Sequence, residues 1–247
     1  MSDSVIVVHD LVKKFGDFVA NDHLTFSVQK GEIFGFLGAN GAGKTTAMRI
    51  LCGLLTPTSG EAFVNGYDVY TQSEAIKKNI GYMSQKFSLY DDLTTAENIQ
   101  FYATIYGMNK KQIAEKTESL LNEFGLLSIK NTLVSDIPLG WKQKIAFLIA
   151  TFHNPSVVFL DEPTGGVDPL TRRQFWELIH QAAALGTTVF VTTHYMDEAE
   201  YCDRVSIMSE GKIMALDTPE ALKKQYNARS MDEVFYQIAR NSYSTNS

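Results

Sequence analysis

The stretch GANGAGKTT, residues 38–46, is the part of this chain best suited to chemistry. It fits the Gly-x4-Gly-Lys-Ser/Thr spacing of a phosphate-binding loop. Gly38, Gly41 and Gly43 let the backbone wrap closely round an anion. Several N–H groups of the run Gly38, Ala39, Asn40, Gly41, Ala42, Gly43, Lys44, Thr45 and Thr46 can then point inward, reinforced by the positive end of the helix that follows. Lys44 supplies a charge for β- and γ-phosphates, and the Thr45 hydroxyl can ligate Mg²⁺. A second group is VVFLDEP, residues 157–163. A buried apolar strand ending in two acids puts Asp161 at the carboxyl edge of a sheet, where open α/β sheets bind ligands. There Asp161 would hold Mg²⁺ through water, and Glu162 would polarise an attacking water as general base. A glutamate directly after the aspartate points to hydrolysis of a nucleotide rather than transfer to a small acceptor.

Three further residues belong with these by position. His194 follows the strand-like TVFVTT and shares the edge with Asp161, within reach of a γ-phosphate. Gln85 ends the strand-like run IGYMSQ and offers a neutral amide to Mg²⁺ or to the water. Phe15, in the KKFGD turn, is either a core aromatic of a hairpin or a plate on which adenine lies. His9, His23, His153 and His180 show no metal-ligand spacing.

The elements that must position these residues read as follows. SVIVVHDLVKKFGDFVANDHLTFSV is two strand-like runs round a turn, an antiparallel hairpin. EIFGFLG is a short buried strand, and KTTAMRILCGLL carries Met48, Leu51 and Leu55 at helical spacing. TSGEAFVNGYDV gives two more short strands. TAENIQFYATIYG is a helix, as is NKKQIAEKTESLLNEFG. The second places Ile113, Thr117, Leu120, Leu121 and Phe124 on one face, with Asn109 and Gln112 as a capping box and Gly125 at its end. Strands VVFLD, TTVFVTT, RVSIMS and KIMALD then alternate with helices DPLTRRQFWELIHQAAALG and YMDEAEYC, which implies a mostly parallel sheet covered on both faces. From about residue 227 a short amphipathic helix leads into a polar end expected to fray.

The bulk properties narrow the partners. The chain has 247 residues, 45% hydrophobic and 20% charged, ordinary for a globular protein. Its net charge of −6, from 22 basic and 28 acidic residues, argues against nucleic acid as a partner. Two cysteines, Cys52 and Cys202, suit a reducing compartment better than a disulfide framework. Apolar runs stay near eight residues, far below the roughly twenty of a membrane span. The start MSDSVIVVHD lacks the pattern of a signal peptide.

The order Phe15, GANGAGKTT, Gln85, a helical insert, DIPLGWKQK, VVFLDEPTGGVD and His194 resembles the ATPase subunit of an ABC transporter over nearly the whole chain. The resemblance implies an α/β P-loop NTPase core with a mostly parallel sheet, an N-terminal antiparallel β subdomain and an inserted α-helical subdomain. Residues 1–226 would form one ABC ATPase domain, with a RecA-like core at about 1–86 and 155–217 and the helical subdomain at about 87–154; residues 227–247 would be a C-terminal helix and polar tail. It implies ATP and Mg²⁺, with Phe15 on adenine, residues 38–46 on the phosphates, and Thr45, Gln85 and Asp161 at the metal. Glu162 would be the base, His194 the γ-phosphate switch, with Lys44 and Gln85 assisting, and Asp168 of GGVD would meet a second ATPase subunit.

In that family two subunits sandwich two ATPs, and each site is completed by a signature stretch from the other subunit, usually Leu-Ser-Gly-Gly-Gln. Here IPLGW stands in that place: Pro138 replaces the serine, Leu139 the first glycine and Trp141 the glutamine. The hydroxyl that would donate to the γ-phosphate is gone, and proline has no N–H. Gly140 and its neighbours still offer the N-terminus of a helix. Losing one charge-assisted hydrogen bond costs roughly 1.5–3 kcal/mol, about ten- to a hundred-fold in rate or affinity. Lys142 and Lys144 are expected to offset part of that. Two readings stand: a modified but working half-site, or one that binds ATP without promoting hydrolysis.

FSLYDDLTTAENIQFYATIYG and MDEVFYQIAR resemble the branch that exports drugs, lipids and polysaccharides. The resemblance then implies a separate integral membrane permease, docked beside residues 86–97, and a peripheral place on the cytoplasmic face of the membrane. Phe87, Leu89 and Tyr90 either make that contact or simply pack between lobes. A soluble ABC ATPase acting on DNA or ribosomes, or a small-molecule kinase, are the competing classes. The absence of sustained heptads, the single cassette and the acidic balance disfavour the first, and Gln85, Asp161–Glu162 and His194 disfavour the second.

Overall fold

The computed structural model describes residues 4–245, with side chains through residue 240. Strand β1 (Ser4–Phe15) turns at Gly16–Asp17 into β2 (Phe18–Gln29), and β3 (Ile33–Gly38) leads through the glycine loop into α1 (Lys44–Leu51). Next come β4 (Ser59–Val64), β5 (Tyr67–Asp68), α2 (Ser73–Asn79) and β6 (Ile80–Met83). Helices α3 (Thr95–Ile105), α4 (Lys110–Glu123) and α5 (Leu139–Thr151) follow. The chain then runs through β7 (Val157–Asp161), α6 (Pro169–Ala184), β8 (Thr188–Thr193), β9 (Arg204–Ser209), β10 (Lys212–Asp217), α7 (Pro219–Gln225) and α8 (Met231–Thr245).

Two sheets form. One is antiparallel with order β2-β1-β4-β5, and the other has order β10-β9-β3-β8-β7-β6. In the second sheet only β10 runs antiparallel to its neighbour. Alternation along its central strands splits the core in two, because successive side chains face opposite ways. Phe34 and Phe36 of β3, Phe159 of β7 and Phe190 of β8 face the antiparallel sheet. Phe34, Phe36 and Phe190 meet Phe26 of β2 there and Phe159 meets Phe190, with ring centroids 5.2–6.4 Å apart. Ala47, Met48, Ile50 and Leu51 of α1 are buried in the same cluster, so the helix that begins at the glycine loop is clamped between the sheets. Leu37, Val158, Leu160, Val189 and Val191 point the other way, onto Phe175, Trp176 and Ile179 of α6 and Val234 and Ile238 of α8.

Helices α3, α4 and α5 enclose a third core, with Ile99, Ile113, Leu121, Ile145, Leu148 and Phe152 in it. Helix α5 is apolar almost all round because it serves two cores: Phe147 and Ala150 face the parallel sheet while Ile145 and Leu148 face α3 and α4. A Cβ on Gly81 of β6 would lie 2.0 Å from the Ala150 carbonyl oxygen, so only glycine lets α5 sit this close to the sheet. The Asn109–Gln112 capping box is formed as its sequence predicts. A second one, Thr94 with Glu97, starts α3.

Four elements differ from expectation. YMDEAEYC is a 3-10 turn, Met196–Tyr201, rather than an α-helix. Helices α2 and α7 were not anticipated, although Thr218 caps α7 with its hydroxyl and Pro219 occupies the first turn. Helix α8 is longer than the short helix expected and takes in most of the polar end, whose last two residues lie outside those described.

Asn98 is wholly buried at the start of α3; it accepts from the Tyr90 N–H at 2.8 Å and donates to the Tyr90, Leu93 and Thr94 carbonyls. Asn98→Ala strands these backbone groups and should cost about 2–3 kcal/mol, a fall of roughly 4–12 °C in Tm for a chain of this size; thermal unfolding measures it.

Candidate functional site

The parallel register brings three chain segments to one edge. Leu37 of β3 lies opposite Thr193 of β8, and Asp161 of β7 opposite Thr192. The glycine loop, the Asp161–Glu162 pair and His194 therefore leave the sheet side by side.

The loop is built by close approach. A Cβ on Gly43, at φ 100°, would lie 2.3 Å from the Ala20 carbonyl oxygen, and one on Gly38 would lie 2.5 Å from that of Met208. The Asn21 side-chain amide donates to the Gly43 carbonyl at 3.0 Å, and the Gly211 N–H to that of Ala42 at 3.1 Å. Strand β2 and the β9–β10 turn thus brace the loop from outside. Gly41, at φ 84°, faces open space.

Lys44 opens α1 and is 4% exposed. Its ammonium donates to the Gly38 carbonyl at 2.7 Å and to that of Ala39 at 3.1 Å, and lies 3.4 Å from Glu162 Oε1. Burial lowers the Lys44 pKa, and the carboxylates of Glu162 and Asp161 oppose that. Asp161 is 3% exposed. Its Oδ1 accepts from Thr192 Oγ1 at 2.7 Å and from Thr45 Oγ1 at 3.1 Å. Burial raises its pKa against those two bonds.

Glu162 sits in the left-handed region, φ 47°, a conformation that non-glycine residues adopt only when their surroundings hold them there. Its N–H donates to both the carbonyl and the hydroxyl of Thr192, at 3.1 and 3.0 Å. Its Oε2 accepts from Gln85 Nε2 at 3.1 Å and lies 3.1 Å from His194 Nδ1. Lys44, Gln85, Glu162 and His194 are thereby brought together, with Thr45 and Asp161 one hydroxyl away.

A cavity of about 380 Å³ opens over this cluster, lined by Asn40, Gly41, Gly43, Lys44, Thr45, Thr46, Gln85 and Glu162, and on its far side by Phe18 and Ala20. Phe15 is half exposed at the same hairpin turn with the Lys13 ammonium 4.9 Å from its ring centroid, but Phe18 rather than Phe15 lines the cavity. Gly38 and Ala42 are buried behind the loop and Ala39 is exposed, and none of the three lines the cavity. Sequence reasoning missed Phe18, Ala20, Asn21 and Thr192. An aromatic three residues from Phe15 was the one available sign; the other three matter through backbone contacts that residue type does not reveal.

Pro138, Leu139 and Gly140 do not line this cavity. Pro138 caps α5 without a side-chain bond, Leu139 is exposed, and a Cβ on Gly140 would lie 2.6 Å from Thr171 Cγ2. Thr171 donates through Oγ1 to Asp168 Oδ2 at 2.5 Å, and Asp168 caps α6 by accepting from the Leu170 and Thr171 N–H groups. The Thr171 bonds hold the Asp168 carboxyl below its ordinary range. The helix tip and Asp168 thus form one exposed corner, apart from the cavity. Near that corner Lys142 lies 3.3 Å from Asp91 Oδ1, and Lys144 sits 5.5 Å from the Trp141 ring centroid.

Thr45, Gln85 and Asp161 offer a hydroxyl, an amide oxygen and a carboxylate. No cluster of three His, Cys, Asp or Glu residues that could hold a metal occurs among the described residues. An all-oxygen set with few carboxylates suits an ion that keeps water and phosphate ligands, as Mg²⁺ does.

A glycine loop joining strand to helix, with an acidic pair at the end of the parallel strand next but one, defines a P-loop ATPase. Residues 21–165 match the ABC transporter family. The chain is 50% identical over 223 residues to the probable multidrug ABC transporter ATP-binding protein YbhF of Escherichia coli (strain K12), covering 90% of this chain and 39% of that protein. It is 37% identical over 225 residues to the human ATP-binding cassette sub-family A member 2, covering 90% of this chain and 9% of that one. A solved ATP-binding subunit of an ABC transporter superposes with a TM-score of 0.84 at 28% identity, over 95% of this chain and 99% of its own. The chain belongs to the ABC transporter family and is an ATP-binding domain of it. It spans well under half the length of these curated relatives. No helix among the described residues is long and apolar enough to cross a membrane.

Since burial raises Asp161, its ionisation opposes folding above its folded-state pKa and has no effect below the ordinary value of 3.8. Asp161→Asn, which keeps the acceptor for Thr45 and Thr192, should raise Tm at neutral pH without added nucleotide. The gain should vanish as pH falls through the carboxylate range, which a pH series of melting curves reads directly.

Proposed function

We propose that this chain hydrolyses ATP to drive export of the multidrug or lipid kind through an integral membrane permease, from the cytoplasmic face of the membrane. The observation that carries the reading is Glu162: a buried-edge carboxylate on strained backbone, in contact with Lys44, Gln85 and His194 at the mouth of the cavity. Glu162 accepts a proton from the attacking water, and His194 helps fix that water and the γ-phosphate. Residues 38–46 hold the phosphates, while Phe15 and Phe18 offer aromatic faces for adenine. Mg²⁺, held by Thr45, Gln85 and Asp161, would neutralise charge on the phosphates.

Two such cassettes, identical or different, close face to face. Each lends its Pro138–Leu139–Gly140 helix tip and its Asp168 to the other's ATP, since neither lies at its own cavity. The backbone N–H groups of Leu139 and Gly140 belong to the first turn, which has no carbonyl behind it to satisfy them. An aromatic groove lined by Phe87, Leu89, Tyr102 and Tyr106, with Tyr90 packed edge-on against Phe101 beside it, would receive the permease. The kinship with YbhF, a probable multidrug transporter protein by its name, and with a sub-family A member supports the exporter branch.

Glu162→Gln should lower ATP turnover by about 10²–10⁴-fold while leaving ATP binding intact, and should trap an ATP-bound dimer that purifies from membranes with a polytopic partner. A variant that turns over normally, or stays monomeric and unpartnered with ATP, contradicts the reading. Pro138→Ser restores the missing donor and should raise turnover about ten-fold. Unchanged turnover in the assembled dimer would show that the helix tip alone suffices; no measurable turnover before the change would favour the ATP-holding alternative.

A further inference from the structure

His194 is held on Glu162 by contacts that begin well away from the cavity. The Tyr195 ring lies 4.2 Å from the His194 ring, tilted by 35°. The Arg172 guanidinium carbon stands 4.0 Å from the centroid of that tyrosine ring, within cation–π range. Arg172 comes from α6 and is itself fixed: Nη1 is 3.4 Å from Asp197 Oδ2, and Nε is 3.6 Å from Glu198 Oε1. Glu198 has no exposed surface. Its Oε1 accepts from Thr164 Oγ1 at 2.5 Å, two residues beyond Glu162. Burial raises the Glu198 pKa, the Thr164 hydrogen bond and then the Arg172 guanidinium oppose that, and Arg172 is the cation set against this carboxyl.

Stability alone does not account for this arrangement. A buried ion pair is a weak stabiliser at best, and an apolar pair of the same volume would serve as well or better. What the pair does achieve is orientation. It fixes a planar guanidinium against the ring next to His194, and the Glu198–Thr164 bond ties the same carboxylate to the loop that follows Glu162. Both partners of the Glu162–His194 contact are thus located from one buried carboxylate.

We propose that Arg172, anchored by Glu198, is a positioning residue for ATP hydrolysis: it holds Tyr195, and Tyr195 holds the His194 ring against Glu162. This rests on the roles given above to Glu162 and His194. Imidazole placed loosely by even 1 Å forfeits about ten- to a hundred-fold in rate without changing nucleotide affinity.

The test is steady-state ATP turnover of the assembled protein, with Glu162→Gln as reference and each variant made with and without His194→Ala. Arg172→Met and Tyr195→Leu should lower kcat by about ten- to a hundred-fold with KM for ATP within two-fold. Tyr195→Phe, which keeps the ring, should restore kcat. On the His194→Ala background, Arg172→Met and Tyr195→Leu should cost nothing further, because the group they position is gone. Equal losses on both backgrounds, or a fall in Tm with kcat intact, would overturn the proposal and leave a structural ion pair. If Arg172→Met does not fold, the Tyr195→Leu and Tyr195→Phe comparison decides, since it leaves the ion pair whole. Should Glu162→Gln hydrolyse like the wild type, the reading of the site falls and the clamp with it; should Glu162→Gln be inactive while Arg172→Met and Tyr195→Leu are fully active, the clamp alone falls.

Discussion

Two carboxylates and one ammonium meet at the sheet edge with almost no water around them: Asp161, Glu162 and Lys44 are 3%, 10% and 4% exposed. Burial acts against the charged form of Lys44 and of Asp161 and the two acids repel each other; what opposes this is the attraction of Lys44 for both and a shell of fixed donors and acceptors. Thr45, Thr192 and Gln85 supply neutral hydrogens to the acids, while the Gly38 and Ala39 carbonyls take hydrogens from Lys44. The same ammonium is what a triphosphate in the cavity would seek. A polyanion there would compete with Glu162 for Lys44, and under the proposed mechanism success in that competition would free the carboxylate to act as a base. Nucleotide binding and activation of the proposed base would in this way be opposite ends of one charge exchange.

That cluster depends on Thr192 more than on any acid. Its hydroxyl donates to Asp161 and accepts from the Glu162 N–H, and its carbonyl accepts from the same N–H. One buried threonine thus fixes the carboxylate of Asp161 and turns the backbone at Glu162 into the left-handed region. Without the turn, the strand would continue its alternation and send Glu162 away from Lys44. The parallel register of β7 with β8 is what puts Thr192 opposite Asp161.

Much of this was legible in the sequence, and the reason is local chemistry. The Gly38–Thr46 spacing, the acids closing VVFLD and the histidine closing TVFVTT each identify themselves by residue type at the end of an apolar run. Their meeting follows from strand order in a parallel sheet. Thr192 was not legible, because a threonine in a buried strand reads as a β-former before it reads as a bracket. Nor were Ala20 and Asn21, which act through a carbonyl and a single amide bond to Gly43. YMDEAEYC has helical composition, yet Glu198 and Cys202 are drawn inward and the segment tightens to a 3-10 turn, a tertiary demand that propensity cannot anticipate. The partners of Lys142 and Lys144 were not legible either: long basic side chains find the nearest acid or ring, here Asp91 and Trp141.

The corner formed by the α5 tip and the α6 cap gives the fold a property that neither half-site has alone. Gly140 rests on the Thr171 side chain so closely that it has no room for a Cβ, and Thr171 is tied to Asp168. The next residue, Arg172, donates its N–H to the Asp168 carbonyl and sends its guanidinium toward Tyr195. Within one turn of α6, then, sit the support of the helix tip offered outward and the support of the histidine facing inward. A helix turn is stiff, so a displacement of the tip large enough to move Thr171 also moves the root of Arg172. If the tip engages a nucleotide on a neighbouring cassette, the cost of that engagement is felt at His194 of the same chain. Pro138, where the proposed half-site would have a serine, bears on this directly: a first turn already shaped by the fixed φ of proline has less freedom to adjust to a phosphate, and more of any adjustment would pass through Gly140 into α6.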